Sequence, residues 1–179
     1  FGTVYSMTGE PRYLATAKAC AEYYLEHTYF GPEAPFGPGV PPNDWDEAAV
    51  VAAGAHKTGP VEIAVRIVDA GEMQLLNGRY RQQDKPTNVL SFEAGEIHGL
   101  PKGAPRTLGD VVVCAPVVAA EAAAQGKHPQ DHWGHMLVHG TLHLLGFDHR
   151  TETEAGEMEA LETRVLAARG VADPYASPD

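Results

Sequence analysis

The stretch HGTLHLLGFDH, residues 139–149, constrains this chain more than any other. Its three histidines stand at spacing H-x3-H-x5-H, with Gly146 between the second and third. On a helix, His139 and His143 are four residues apart and share one face. Both imidazoles can then meet one ion at about 2.0–2.1 Å. Glycine tolerates positive φ, so Gly146 can stop the helix and turn the chain back, which lets His149 supply a third nitrogen. The segment is therefore expected to be a helix, a sharp turn and a return, with the rest of the fold arranged around it. Three histidines that never bind metal are the plainer reading. The spacing and the placed glycine favour a zinc site at His139, His143 and His149.

The pattern H-x-x-x-H-x-x-G-x-x-H matches the metzincin ligand spacing, but Gly140 stands where zinc peptidases carry a catalytic glutamate. Three protein ligands leave a fourth position open, which is the arrangement of catalytic rather than structural zinc. Water in that position has its pKa lowered to about 7, so a nucleophile can form without the glutamate. What protonates the leaving group stays open. Asp148 either orients a ligand or is a solvated loop acid. His135 shares the face of His139, but helical positions i, i+4 and i+8 span about 12 Å of axis and cannot all reach one ion. His135 and His132 are therefore expected to pack or to support the ligands.

Periodicity supplies the frame. Residues 10–27 repeat apolar positions at helical spacing, 31–43 are broken by proline and glycine, and the alanine-rich 47–57 read as a short helix. VEIAVRIVD, 61–69, alternates as a strand and precedes a short helix over 70–78. Pro86 breaks the chain and NVLSF extends it. LGDVVVCAP, 108–116, reads as a buried strand, and helices follow over 117–125, 130–145 and 153–169. The last is amphipathic through Met158, Leu161 and Val165.

A net charge of −11 argues against broad, charge-driven adhesion to nucleic acid, but not against a local basic site. Such a site is offered by Arg79, Arg81 and Lys85, with Asp84 among them. A guanidinium presents fixed donors to phosphate, so Arg81 beside a metal site can clamp a phosphodiester. The plainer reading of Arg81 is a surface pair with Asp84, and of Arg79 and Lys85 a solvated face. Asn88 and Ser91 either line the same cleft or serve a turn, and Asp110 reads as a cap at a strand start. No apolar run approaches the roughly 20 residues of a membrane helix, and no basic-then-apolar leader is visible. Two cysteines, Cys20 and Cys114, make no disulfide framework, so a reducing, cytoplasmic setting is expected.

YRQQDKPTNVLSF, LGDVVVCAPVV, HWGHMLVHGTLHLLGFDH and EAGEMEALE, in this order, resemble the bacterial YbeY family over residues 61–176. The resemblance implies a zinc-dependent, single-strand-specific endoribonuclease acting in rRNA maturation and ribosome quality control. It implies a compact α/β (α+β) single domain with a small mixed sheet packed with helices and a zincin-like metal helix. It also implies zinc on His139, His143 and His149, one ion per chain, and a functional Arg81 in the cleft. Its partners would be single-stranded rRNA and the small ribosomal subunit with its proteins, without membrane or DNA.

The front departs from that pattern. Residues 1–57 form an atypical helical, Pro/Gly-rich segment, set apart from a metal-dependent hydrolase domain at 58–179. They are loosely similar to one helix–loop–helix unit of six-hairpin glycoside hydrolases that act on unsaturated uronides. Such a unit makes no site alone, so Asp44 and Asp46 are not assigned catalysis. Two rival functions remain, a zinc peptidase and a non-catalytic ribosome assembly factor with structural zinc.

Overall fold

The computed structural model describes residues 45–54, 61–95 and 104–176, apart from the side chains at 46–48. Helix α1 spans Trp45–Ala52, strand β1 Val61–Val68, α2 Ala70–Arg81, β2 Val89–Glu93, β3 Arg106–Cys114, α3 Ala115–Ala124, α4 Pro129–Leu144 and α5 Glu152–Ala167. The helix expected over 10–27, the irregular 31–43, Cys20 and Asp44 lie outside the described residues.

The sheet is mixed, in the order β1-β3-β2. β1 runs parallel to β3, with Val65 opposite Val111, and β2 runs antiparallel, with Ser91 opposite Val111. β3 is central and reads as a continuous apolar run because both of its faces are covered. Val111 and Val113 join Val89 under α4, whereas Val112 and Cys114 join Leu90, Val68 and Met73 on the α2 side. Asp110 sits inside this strand, opposite Ala64 and Phe92, so the capping role expected for it is wrong. The strand begins earlier, at Arg106.

α2 runs three residues beyond the expected 78, to Arg81. Asp69 caps its start by accepting from the Glu72 N–H at 2.8 Å. Gln82 ends it in the left-handed region at φ 58°, which swings the chain toward β2. Arg81 is thereby held at a helix end rather than carried on a loop.

α4 is the central helix. Trp133, Met136, Leu137, Val138, Leu142 and Leu144 are buried on most of its circumference, as expected of a helix with neighbours on every side. α1 crosses it with Trp45 against Gly134, where a Cβ would approach the indole Cε2 to 2.6 Å. α1 belongs to the 1–57 segment, and its Trp45, Ala49 and Val50 are buried in the same cluster as α4.

Where α4 meets the sheet, Gly140 is the contact. A Cβ there would stand 2.7 Å from Val111 Cγ1, 3.1 Å from Ser91 Oγ and 3.2 Å from Val89 Cγ2. Ser91 Oγ also donates to the Gly140 carbonyl at 2.8 Å. The glutamate of a zinc peptidase cannot occupy this position without parting the helix from the sheet. Ala gains about 1 kcal/mol over Gly in helix propensity, while overpacking against stiff β-branched neighbours costs about 1–3 kcal/mol. Gly140→Ala is therefore expected to lower stability in urea denaturation. Gly156→Ala, at an exposed α5 position where a Cβ meets nothing within 4 Å, is expected to raise it by about 1 kcal/mol.

Candidate metal centre

The end of α4 is built by its own backbone. The Phe147 N–H returns to the Leu142 carbonyl at 3.0 Å and the Gly146 N–H to the His143 carbonyl at 3.0 Å. These two bonds form a Schellman closure, and Gly146 adopts φ +88° as the spacing required. The chain then returns along α4 and brings His149 beside it. Ring centroids lie 4.7 Å apart for His139 and His143, 5.0 Å for His143 and His149, and 5.6 Å for His139 and His149. One nitrogen from each ring falls within 4.8 Å of the others, so the three expected histidines are brought together.

The ring orientations decide what this cluster can hold. His139 Nδ1 faces the Glu162 carboxylate at 2.7 Å, and His143 Nδ1 faces the Phe147 carbonyl at 3.0 Å. Both partners are acceptors, so both Nδ1 atoms carry the proton. Each Nε2 is then left with a lone pair, and the two Nε2 atoms stand 3.1 Å apart. Two neutral acceptors at that distance repel. Donors at about 2.0–2.1 Å from one tetrahedral ion stand roughly 3.3 Å apart, so the donor set fits a divalent cation. Burial is the main cause that lowers the His143 pKa, and the neighbouring His139 and His149 lower it further, against the Phe147 carbonyl. The ring therefore favours the neutral form that a metal needs.

Glu162 is the residue that sequence reasoning passed over. It is fully buried on α5, yet accepts hydrogen bonds from His139 Nδ1, from His135 Nε2 at 3.3 Å and from the Tyr175 hydroxyl. Burial would raise its pKa, but those three donors outweigh it and hold the carboxyl at about 2. Tyr175 is pushed the other way, up, by burial and then by Glu162. A signal was present, because Glu162 lies four residues after Met158 on the apolar stripe of α5, where an acid is out of place.

His132 and His135 are buried on α4, as expected for packing residues. His132 Nε2 donates to the Glu121 carboxylate at 2.9 Å, which also accepts from Asn88 Nδ2 at 3.1 Å. Asn88 therefore ties the loop before β2 to α3 and is absent from the cleft lining. Asp148 Oδ1 accepts from the His149 backbone N–H at 2.9 Å rather than from a ring. That bond is the leading cause of its lowered pKa, and Arg150 adds to it from 2.6 Å.

A cleft of about 470 Å³ opens beside the cluster, lined by Arg81, Ser91, Glu93, His143, Gly146, Phe147, Asp148, His149 and Arg150. The pairing of Arg81 with Asp84 does not form, because Asp84 accepts from Gln74 Nε2 at 2.8 Å instead. Among the described residues Arg81 has no ion pair, so its guanidinium is available to the cleft. Arg79 lies over the Tyr80 ring at 5.4 Å, and neither it nor Lys85 lines the cleft.

Comparison with known proteins adds relatives to this geometry. Residues 45–170 match the family model described as endoribonuclease YbeY. An endoribonuclease YbeY of Halorhodospira halophila is 61% identical over 121 residues, covering 68% of this chain and 78% of that protein. One from Alkalilimnicola ehrlichii is 54% identical over 141 residues, covering 76% and 83%. A solution structure from Thermotoga maritima aligns at TM-score 0.46 and 23% identity, covering 75% of this chain and 90% of that one.

Two expectations follow from the site's own construction, both for protein stripped of metal. A Cβ at Gly146 would meet nothing within 4 Å, so only the backbone opposes substitution. Gly146→Ala is expected to cost about 1–2 kcal/mol in urea denaturation, and Gly146→Asn less, since asparagine tolerates the left-handed region. The second concerns acid. The Glu162 carboxyl falls from 4.5 to about 2 on folding, so its contribution is present above pH 4.5 and is lost as pH drops toward 2. Glu162→Gln should flatten that acid limb by on the order of 1–3 kcal/mol. An unchanged limb would show that the carboxylate is not held as described.

Proposed function

The chain belongs to the endoribonuclease YbeY family, and from that premise we propose that it cleaves RNA at a zinc site formed by His139, His143 and His149, with Arg81 as the phosphate clamp. The activity itself, hydrolysis of RNA by an endoribonuclease, follows from the family. The observation that supports the residue assignment is the pair of opposed Nε2 lone pairs of His139 and His143 behind a cleft that His143 and His149 line with Arg81, which has no ion pair among the described residues.

A zinc ion held there would supply Lewis acidity to a phosphodiester and lower the pKa of water in the fourth position. The protein supplies the rest. Arg81, anchored at the end of α2, offers two parallel donors to non-bridging phosphate oxygens and stabilises charge as it develops. Ser91 is engaged by the Gly140 carbonyl and shapes the floor. With −11 overall, binding concentrates at this local pairing of cations rather than over the surface. The substrate in this reading is single-stranded ribosomal RNA, met in the cytoplasm on the small subunit during its maturation and quality control. No described helix is long and apolar enough to cross a membrane. A peptidase is disfavoured by the lack of room for a glutamate at position 140.

Purified protein is expected to contain one zinc per chain, lost in the His139→Ala, His143→Ala double variant. Arg81→Ala is expected to keep its zinc and its fold and to cleave RNA about 100-fold more slowly under single-turnover conditions. Arg81→Lys should recover little, because the charge returns without the planar fork. Cleavage by Arg81→Ala at the wild-type rate would remove the clamp, and metal retained by the double variant would remove the zinc assignment.

A further inference from the structure

His139 has two ring nitrogens with separate tasks. Nε2 faces His143, and Nδ1 meets a carboxylate that has no route to water. We propose that Glu162, clamped by Tyr175 from the C-terminal turn, is the positioning residue for His139, holding its imidazole as the Nδ1–H tautomer with Nε2 aimed at the metal. The inference rests on the zinc reading for its consequence, but not for its geometry.

Three protons converge on the Glu162 carboxylate, from His139 Nδ1, His135 Nε2 and the Tyr175 hydroxyl. An ionised carboxylate has about four acceptor sites, so it can take all three. A neutral side chain of the same size could not. Each donor then fixes an orientation. Oε1 takes His139, and Oε2 takes His135 and Tyr175, so the carboxylate plane cannot rotate without breaking one of them. His135 also lies 3.3 Å from the Tyr175 hydroxyl, which closes the group into a ring of contacts.

Tyr175 is delivered deliberately by its surroundings. Asp173 Oδ1 accepts from the Tyr175 N–H at 3.0 Å and from Thr163 Oγ1 at 3.2 Å, and Lys127 Nζ donates to the Pro174 carbonyl at 3.0 Å. The turn after α5 is thus tied both to α5 and to the loop before α4. A tyrosine that is 42% exposed sends its hydroxyl inward to the one buried carboxylate behind the histidine cluster. The charge on Glu162 also raises the basicity of His139 as a ligand, as carboxylates behind metal-binding histidines do.

His135, His139 and Glu162 also come close enough to be counted as a metal-holding group of their own. The 2.7 Å separation of His139 Nδ1 from Oε1 is that of a hydrogen bond between a donor and an acceptor. Two ligands of one ion would stand farther apart, so the hydrogen-bonded reading is preferred.

The test combines a measurement that needs no metal with one that does. In metal-free wild type, long-range 1H–15N NMR should show His139 as the Nδ1–H tautomer. In Glu162→Ala it should pass to a mixture richer in Nε2–H. His143, held independently by the Phe147 carbonyl, should keep its pattern, which separates lost positioning from lost structure. Zinc affinity by chelator competition should fall by about 10–100-fold in Glu162→Ala, and the visible spectrum of the cobalt-substituted protein should change. Glu162→Gln should recover part of the affinity, and Tyr175→Phe, which removes one hydroxyl from a half-exposed ring, should lose less than Glu162→Ala. If Glu162→Ala does not fold, Glu162→Gln and Tyr175→Phe carry the comparison. An unchanged His139 pattern in the variants overturns the proposal. So do two zinc ions per wild-type chain with one lost alongside Glu162, which would make this group a second metal site. If wild type binds no zinc, the function assigned to the cluster falls, while the tautomer measurement still decides the positioning.

Discussion

The close approach of α4 to the sheet at Gly140 is the constraint on which the rest depends. With no side chain at that point, the helix lies against Val111 and Val89 and accepts a hydrogen bond from Ser91. That contact fixes the rotation of α4 about its axis. The rotation in turn presents His143 to the cleft, sets His139 between His143 and the buried Glu162, and turns His135 to Glu162 and His132 to the half-buried Glu121. The same contact excludes the glutamate of a zinc peptidase, so the site's chemistry and its packing share one cause.

Electrostatics then sharpen what packing arranges. The chain is strongly acidic, yet its cleft presents Arg81, which has no ion pair among the described residues, together with His143 and His149, and His139 converges on both of them from behind. Glu93 and Asp148 line the cleft themselves, while other acids nearby are engaged by neighbouring groups. Glu162 is buried behind His139, Glu121 engages His132 and Asn88, Asp84 engages Gln74, and Asp148 engages Arg150 and its neighbour's backbone.

The elements were largely legible because their signals are local. Alternation in VEIAVRIVD, the apolar run in β3 and the apolar repeats of α4 and α5 each reflect one element's burial, and the observed spans agree within a few residues. The errors also have local causes. α2 was ended too early because its stop is Gln82, a non-glycine residue in the left-handed region, which carries no composition signal. Asp110 was misplaced because a polar residue within a strand resembles a terminus when its partners across the sheet are unknown. Asn88, open in the sequence between the cleft and a turn, binds Glu121, 33 residues away.

By itself the sequence determined the histidine spacing, the need for positive φ at Gly146 and the place of Arg81 beside a proline-broken turn. These are short-range properties, set by the helical period and by the stereochemistry of single residues. Only the tertiary structure decided that Gly140 is a contact point rather than a lost glutamate, that Arg81 faces the cleft free of Asp84, and that Glu162 and Tyr175 stand behind His139. Those facts depend on residues far apart in sequence, from 13 for Glu162 and Tyr175 to 51 for Val89 and Gly140, meeting at hydrogen-bond or van der Waals distance. No periodicity encodes such meetings, because they arise from how the helices and the sheet pack on one another.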